Sequence, residues 1–335
     1  GLGDSRIENI GSMRCAHISA SMTLIRTPML SQVSQVVAHA NVSCNTEIDV
    51  LRELSTAAQK TNRTHGIVLM VELGDLREGI MPAHVPKTVR EVLALPNLKL
   101  EGIGTNLACR SGVTPDSNNM AELSALADSI DSTFGTTIST VSGGNSANIE
   151  WALSGADTGR INNLRLGEAM LLGREPLHRR AIEGLHTDAI TLIAEVIESK
   201  GKPSKPWGEI AQAAFGEVRA SSDRGTISQS ILAIGHQDTD PSGLEPPPGI
   251  DMLAASSDHI VVDSGSFRGR LGAGTEIPFQ INYSALLRAM TSPFVSKVMR
   301  VPTTTLRAES VERKSVCFCD DTDFTATPAI LSPMG

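Results

Sequence analysis

Short apolar runs alternate with amphipathic helical patterns from the N-terminus to about residue 172, and this alternation leaves the chain few architectures. The strand candidates are Met22–Arg26, Val42–Cys44, Gly66–Glu72, Leu100–Asn106, Thr137–Ser142 and Ile161–Leu166. Between them, Thr46 is a candidate N-cap ahead of an apolar stripe of Ile48, Leu51 and Leu54. Met120, Leu123, Leu126, Ala127 and Ile130 form a second stripe at helical spacing. Gly3-Asp4-Ser5-Arg6 reads as the end of one further strand. Strands that alternate with helices pair in parallel, because each helix carries the chain back across the sheet.

Polar residues recur at the carboxyl ends of these strands: Arg26, Asn45, Asp75 and Arg77, Asn106, Asn145 and Ser146, and Arg165. In a (β/α)8 barrel that face carries the active site. The expected fold is therefore α/β, a barrel over residues 1–186. The strand count leaves it one βα unit short, so the first unit is expected to be missing, with two sheet edges left open. From residue 187 the pattern changes. Ala189–Ile197, Ser230–Ile234, His259–Asp263 and Pro278–Tyr283 are strand-like, and clusters such as Glu245-Pro246-Pro247-Pro248-Gly249 break them apart. A mostly β domain is expected over 187–298. Residues 299–335 are rich in Thr, Ser and Pro without an apolar period and are expected to be disordered.

A net charge of -8 argues against a nucleic-acid or anionic-membrane partner, both of which favour a basic face. No stretch has the apolar length of a membrane span, and residues 1–20 lack a signal-peptide pattern. The five cysteines, Cys15, Cys44, Cys109, Cys317 and Cys319, are odd in number and irregularly spaced, which fits a reducing cytoplasm better than a disulfide framework. Cys317 and Cys319 have no second ligand pair near them, so no metal site is expected there.

Three segments carry chemistry. Ser142-Gly143-Gly144-Asn145-Ser146 follows an apolar run and opens a helical stretch, Ala147–Leu153. Adjacent glycines let the backbone approach an anion, and a helix start offers free N–H groups. An ordinary glycine-rich turn is the competing reading. In Leu164-Arg165-Leu166-Gly167-Glu168, the N–H groups of Gly167 and Glu168 are placed to complete a phosphate cup. Arg165 either faces the barrel mouth or forms a surface ion pair. Glu72-Leu73-Gly74-Asp75-Leu76-Arg77-Glu78-Gly79 puts Arg77 on a glycine turn.

The order and spacing of these segments resemble the alanine racemase family of pyridoxal 5'-phosphate (PLP) enzymes, and within it the ornithine racemase group. The likeness also runs through Asp4–Ile7, Ile103–Leu107, Asn163–Glu175, Ala233–Asp240 and Ala255–His259, covering roughly residues 1–298. It implies an isomerase that exchanges a proton at the α-carbon of an amino acid, a basic one such as ornithine, and that pairs head to tail as a homodimer. By the same resemblance PLP is held by Ser142, Gly143, Gly144, Asn145, Ser146, Asn106, Gly167 and Glu168, with Arg165 at the ring nitrogen. Arg77 lies beside the cofactor's phenolic oxygen. Relatives use a tyrosine within G-Y-A-D as the acid/base on one face; this chain has Gly235-His236-Gln237-Asp238 there, and its single tyrosine is Tyr283. The resemblance thus makes His236 a catalytic residue, with Asp238, Asp240 and Ser257 as substrate contacts. The family's Schiff-base lysine precedes the D-S-R-I segment, and no lysine precedes Lys60, so the chain as written is expected to lack that lysine and to be inactive. Two alternatives stand beside this reading. One is a metal-assisted PLP-dependent aldolase of the D-threonine type, using His236 and Asp238. The other is a non-catalytic PLP-binding protein or fragment.

Overall fold

The computed structural model describes residues 1–212, 223–269 and 271–299, so the expectations for the tail beyond residue 299, with Cys317 and Cys319, lie outside the described residues. The N-terminal half runs β1 (Leu2–Asp4), α1 (Ile7–Cys15), β2 (Met22–Leu24), α2 (Val33–His39), β3 (Val42–Asn45), α3 (Ile48–Lys60), β4 (His65–Met70), α4 (Val85–Leu93), β5 (Leu98–Gly104), α5 (Ser117–Phe134), β6 (Thr140–Ser142), α6 (Ile149–Leu153) and α7 (Glu168–Leu172). β1 to β6 form one parallel sheet in sequence order. Each crossover carries at least one helix, the connection parallel neighbours require.

Every residue of β4 is buried. One face meets the helices through Ile67 and Leu69; the other meets Cys44 of β3 through Val68 and Met70. Burial on both faces is why this strand reads as an unbroken apolar run. A Cβ at Gly102 would lie 2.0 Å from the Thr140 carbonyl oxygen, so glycine is what lets β5 and β6 close up. The polar set Ser43, His65 and Asn45 is buried on the helix side: Ser43 Oγ lies 2.8 Å from His65 Nε2, and Asn45 Nδ2 donates to the Ser43 carbonyl. Burial pulls the His65 pKa down to about 4, so the ring is neutral there at physiological pH.

Two details depart from the sequence reading. Thr46 is not the cap of α3; that position is Glu47, and Thr46 Oγ1 pairs with Thr27 Oγ1 across to the next loop. The expected strand Ile161–Leu166 shrinks to one parallel bridge, Ser142 to Asn163. Backbone bonds still join the segment to the end of β6 and the residues after it, from Asn162 N–H to the Val141 carbonyl, Gly143 N–H to the Asn163 carbonyl and Arg165 N–H to the Gly144 carbonyl. The Asn162 side chain adds to them, accepting from Val141 N–H and donating to the Ser139 carbonyl. Asn163 still marks a seventh strand position, and among the described residues no pairing joins that end to β1, so the sheet is open.

The second half is antiparallel: β7 (Leu192–Pro203), β8 (Thr226–Leu232), β9 (Leu244–Glu245), β10 (Asp251–Ala255), β11 (Ile260–Asp263) and β12 (Glu276–Ile281) form a sheet in the order β10-β11-β8-β7-β12-β9. Leu192, Ala194 and Val196 alternate inward and pack with Phe279, Ile277 and helix α8 (Tyr283–Thr291) in a second core, separate from the barrel's. β9 and β10 escape the sequence reading because they are short edge strands; β10 is mostly exposed and carries a bulge at Met252/Ala254. Residues Gly1–Val295 form one compact unit. Among the described residues no helix is long and apolar enough to cross a membrane.

Candidate functional site

Arg165 is the centre of the polar face at the carboxyl ends of the strands. Its Nη2 donates to the Thr105 carbonyl at 2.7 Å and to Asn106 Oδ1 at 3.2 Å, and its Nη1 donates to Ser142 Oγ. Ser142 Oγ donates its hydrogen bond to Asn163 Oδ1 at 2.7 Å, which leaves it only as an acceptor for the guanidinium. Among the described residues no carboxylate forms an ion pair with Arg165. Part of the side chain is exposed, yet its surroundings desolvate it enough to lower its pKa; the Cys44 and Glu78 groups oppose that shift. An unpaired cation held this way invites an acceptor from a ligand.

The segment Ser142–Ser146 opens a 3-10 turn at Ser146–Asn148 capped by Asn145, whose Oδ1 accepts from Ala147 N–H at 2.8 Å. Asn145 Nδ2 reaches Asn106 Oδ1 and the Leu107 carbonyl, so the turn is tied to the Arg165 network. Gly144 has φ +145, and a Cβ there would lie 2.1 Å from Asn148 Oδ1. Ser146 Oγ accepts from the N–H groups of Gly167 and Ala169, at 3.3 and 3.2 Å, which joins the turn to the start of α7 and leaves the hydroxyl proton to be donated elsewhere. The buried N–H groups of Gly144 and Ser146, and that of Glu168, find no acceptor among the described residues. Buried donors are rarely left so. An anion seated between the turn and α7 would satisfy all three. Of the two cup donors expected from the α7 side, Gly167 is partly engaged by Ser146 and Glu168 is open. The Glu168 carboxylate pairs with Arg179, and burial raises its pKa.

Arg77 stands on the loop after β4. Gly79 folds that loop back, since a Cβ there would lie 2.4 Å from Glu72 N. Glu72 caps it by accepting from Gly74 and Leu76 N–H. Asp75 holds the loop after β5 through the N–H groups of Cys109, Arg110 and Ser111. Burial pushes the Asp75 pKa up, but those donors together outweigh it and the pKa is lowered. Arg77 makes a two-pronged ion pair with Glu78 and donates to Cys109 Sγ at 2.8 Å. Cys44, buried on β3, has its thiol pKa raised by desolvation. The sequence reading missed Glu78, Thr105, Cys109 and Asn163; Glu78 was readable only as the neighbour of Arg77.

The remaining expected residues lie on the other sheet. His236 is half-buried in the turn after β8, its N–H bonded to the Ser256 carbonyl at 2.9 Å. Gly235 lets this turn pack on the next one; a Cβ would lie 2.3 Å from the Ser257 carbonyl oxygen. Asp238 Oδ1 accepts from Ser292 Oγ at 3.0 Å. Asp240 caps the turn Pro241–Gly243, accepting from Ser242 N–H and from the Ser242 and Ser284 hydroxyls, and the Ser284 bond leads in lowering its pKa. Ser257 Oγ bonds Asp258. Here the carboxylates hold loops in shape.

Lys60 ends α3, Lys87 lies in α4, Lys99 pairs with Glu101 at the start of β5, and Lys200 and Lys202 pair with Glu198 on β7. Among the described residues the one group of metal-type ligand atoms within 4.8 Å of each other is Glu150, Glu175 and His178. Glu175 there is saturated by the N–H groups of Leu177, His178 and Arg180, and Arg180 bridges to Glu150, so the acidic charge is already met.

The model of the alanine racemase N-terminal domain matches residues 1–175. An ornithine racemase of Acetoanaerobium sticklandii is 40% identical over 296 residues, 88% of this chain and 83% of the relative. A lysine racemase of Thermotoga maritima is 38% identical over 298 residues, 89% of this chain and 83% of the relative. Among solved structures, an alanine racemase of Bartonella henselae with covalently bound pyridoxal phosphate superposes with a TM-score of 0.60 at 17% identity, covering 87% of this chain and 78% of that one. The last likeness concerns the fold alone.

Proposed function

The chain belongs to the alanine racemase N-terminal-domain family, and from that premise we propose that it is a PLP-dependent amino-acid racemase acting on a basic amino acid such as ornithine. The observation that carries the reading is the donor set at the strand ends: among the described residues, three open N–H groups around Ser146, and beside them a guanidinium with no carboxylate. A phosphate suits the first and a ring nitrogen the second, so the residues present fit the cofactor. When bound, PLP withdraws electrons from the α-carbon and makes its proton labile.

The chain's own residues do the rest. Ser146, Gly144 and Glu168 would hold the phosphate. Arg165 would donate to the ring nitrogen and, being cationic, would disfavour its protonation. That weakens the electron sink and favours plain proton exchange over deeper chemistry. Thr105, Asn106 and Ser142 fix the guanidinium for this task. Arg77 would meet the substrate carboxylate. His236, brought to the mouth by a partner copy in a head-to-tail homodimer, would take and return the α-proton on one face, work suited to imidazole near neutral pH.

The test begins with PLP titrated into the purified chain and followed by absorbance. Saturable binding of one cofactor per chain is expected, and its absence overturns the reading. Racemisation of ornithine, read by chiral chromatography, is expected to fall about 10²- to 10⁴-fold in His236→Gln. A variant as fast as the wild type removes His236 from the chemistry.

A further inference from the structure

We propose that Asn163 is a positioning residue for Arg165: by accepting the hydrogen bond of the Ser142 hydroxyl, it fixes Ser142 Oγ as an acceptor for the guanidinium. The inference rests on the functional reading above and adds to it the group that keeps Arg165 aimed.

Among the described residues three oxygens accept from Arg165: the Thr105 carbonyl, Asn106 Oδ1 and Ser142 Oγ. The first is fixed by the backbone, since Thr105 N–H bonds the Ser142 carbonyl at 2.9 Å. The second also accepts from Asn145 Nδ2 at 3.1 Å. The third belongs to a rotor. A hydroxyl turns about its C–O bond, and one that aims its hydrogen at a guanidinium cannot accept from it. Asn163 Oδ1, 2.7 Å from Ser142 Oγ, gives that hydrogen a direction away from Arg165. Ser142 is 3% exposed, so bulk water does not compete freely for it. A hydroxyl that donates is also a stronger acceptor, because hydrogen bonds in a chain polarise one another. Arg165 to Ser142 to Asn163 is such a chain.

The backbone sets up the relay. Asn163 bridges Ser142 in parallel register, and its carbonyl accepts from Gly143 N–H at 2.9 Å. Two residues on, Arg165 N–H bonds the Gly144 carbonyl at 2.8 Å. The Asn163 and Arg165 side chains therefore meet at the same hydroxyl. Asn163 as a whole is exposed, so the fold gains little from burying it. What its side chain does is satisfy one buried hydroxyl. Without that bond the guanidinium turns more freely and presents its N–H groups to a ring nitrogen less well.

The test has two arms. In the first, the chain without cofactor carries isotope-labelled arginine, and rotation of the Arg165 guanidinium is followed by NMR, with R165M assigning the signal. In the second, affinity for PLP is read from an absorbance titration. N163L should speed the rotation and weaken the affinity about three- to tenfold each, the scale of one hydrogen bond. N163D keeps an acceptor and should restore both. In an S142A background N163L should change neither, because the relay is already cut. Melting curves show which variants fold alike, and N163A takes the place of N163L if the latter unfolds. Unchanged rotation in the Asn163 variant overturns the proposal. An effect of the same size in S142A also overturns it, because Asn163 would then act on the fold and not through Ser142. Failure of the wild type to bind PLP counts against the functional reading, and the NMR arm decides the role of Asn163 without the cofactor.

Discussion

The barrel mouth and the turn after β8 hold similar polar residues in opposite states. At the mouth, donors exceed acceptors among the described residues: Gly144, Ser146 and Glu168 keep open N–H groups, and Arg165 lacks a carboxylate. In the turn the carboxylates are consumed: Asp238 and Asp240 accept from neighbouring serines and hold loops together. Unmet donors mark a place that waits for a ligand; met acceptors mark a scaffold. The difference teaches that residue type alone does not identify a site. What counts is whether the fold has already used the residue's hydrogen-bonding capacity.

The largest effect should come from Arg165→Met. Cofactor affinity is expected to drop by about 2–5 kcal/mol, the range for truncating one partner of a buried charge-assisted contact. Stability in urea should hold or rise, because the folded chain no longer desolvates a cation that lacks an ion pair. A variant that binds PLP like the wild type would break the contrast between mouth and turn. Gly144→Ala should cost about 1–3 kcal/mol of stability, given φ +145 and the 2.1 Å approach to Asn148, and should weaken cofactor binding with it. An unchanged urea midpoint would mean that the cradle relaxes freely. The smallest effect belongs to the turn. Asp240→Ala removes a cap and should cost about 1 kcal/mol at pH 7. Because the Asp240 carboxyl is held below its ordinary value of 3.8, this contribution is present above about pH 4 and is lost as pH falls through the folded value. A difference between wild type and variant that persists in acid would contradict the capping account.

Much of the barrel was legible because a buried parallel strand writes itself as an apolar run and its helix as a stripe. β4 and α5 show this directly; α5 even carries its start in the Asp116–Asn119 capping box. The seventh strand position was legible too: backbone bonds tie Asn162, Asn163 and Arg165 to Val141, Gly143 and Gly144, around the parallel Ser142–Asn163 bridge. Edge strand β10 was missed because it buries too little to leave a pattern. Among the expected site residues, Ser142 and Asn145 hold Arg165 and the turn in place, while the open donors are backbone groups that any sequence supplies.

The sequence by itself determined the strand–helix order, the glycine turn and the presence of Arg77 and Arg165 at strand ends, since these follow from local periodicity and steric allowance. Only the tertiary structure decided which polar groups remained unsatisfied. Hydrogen bonds such as Arg165 to Thr105 and Ser146 to Ala169 join residues far apart in the chain, and donor and acceptor balance is a property of the folded whole.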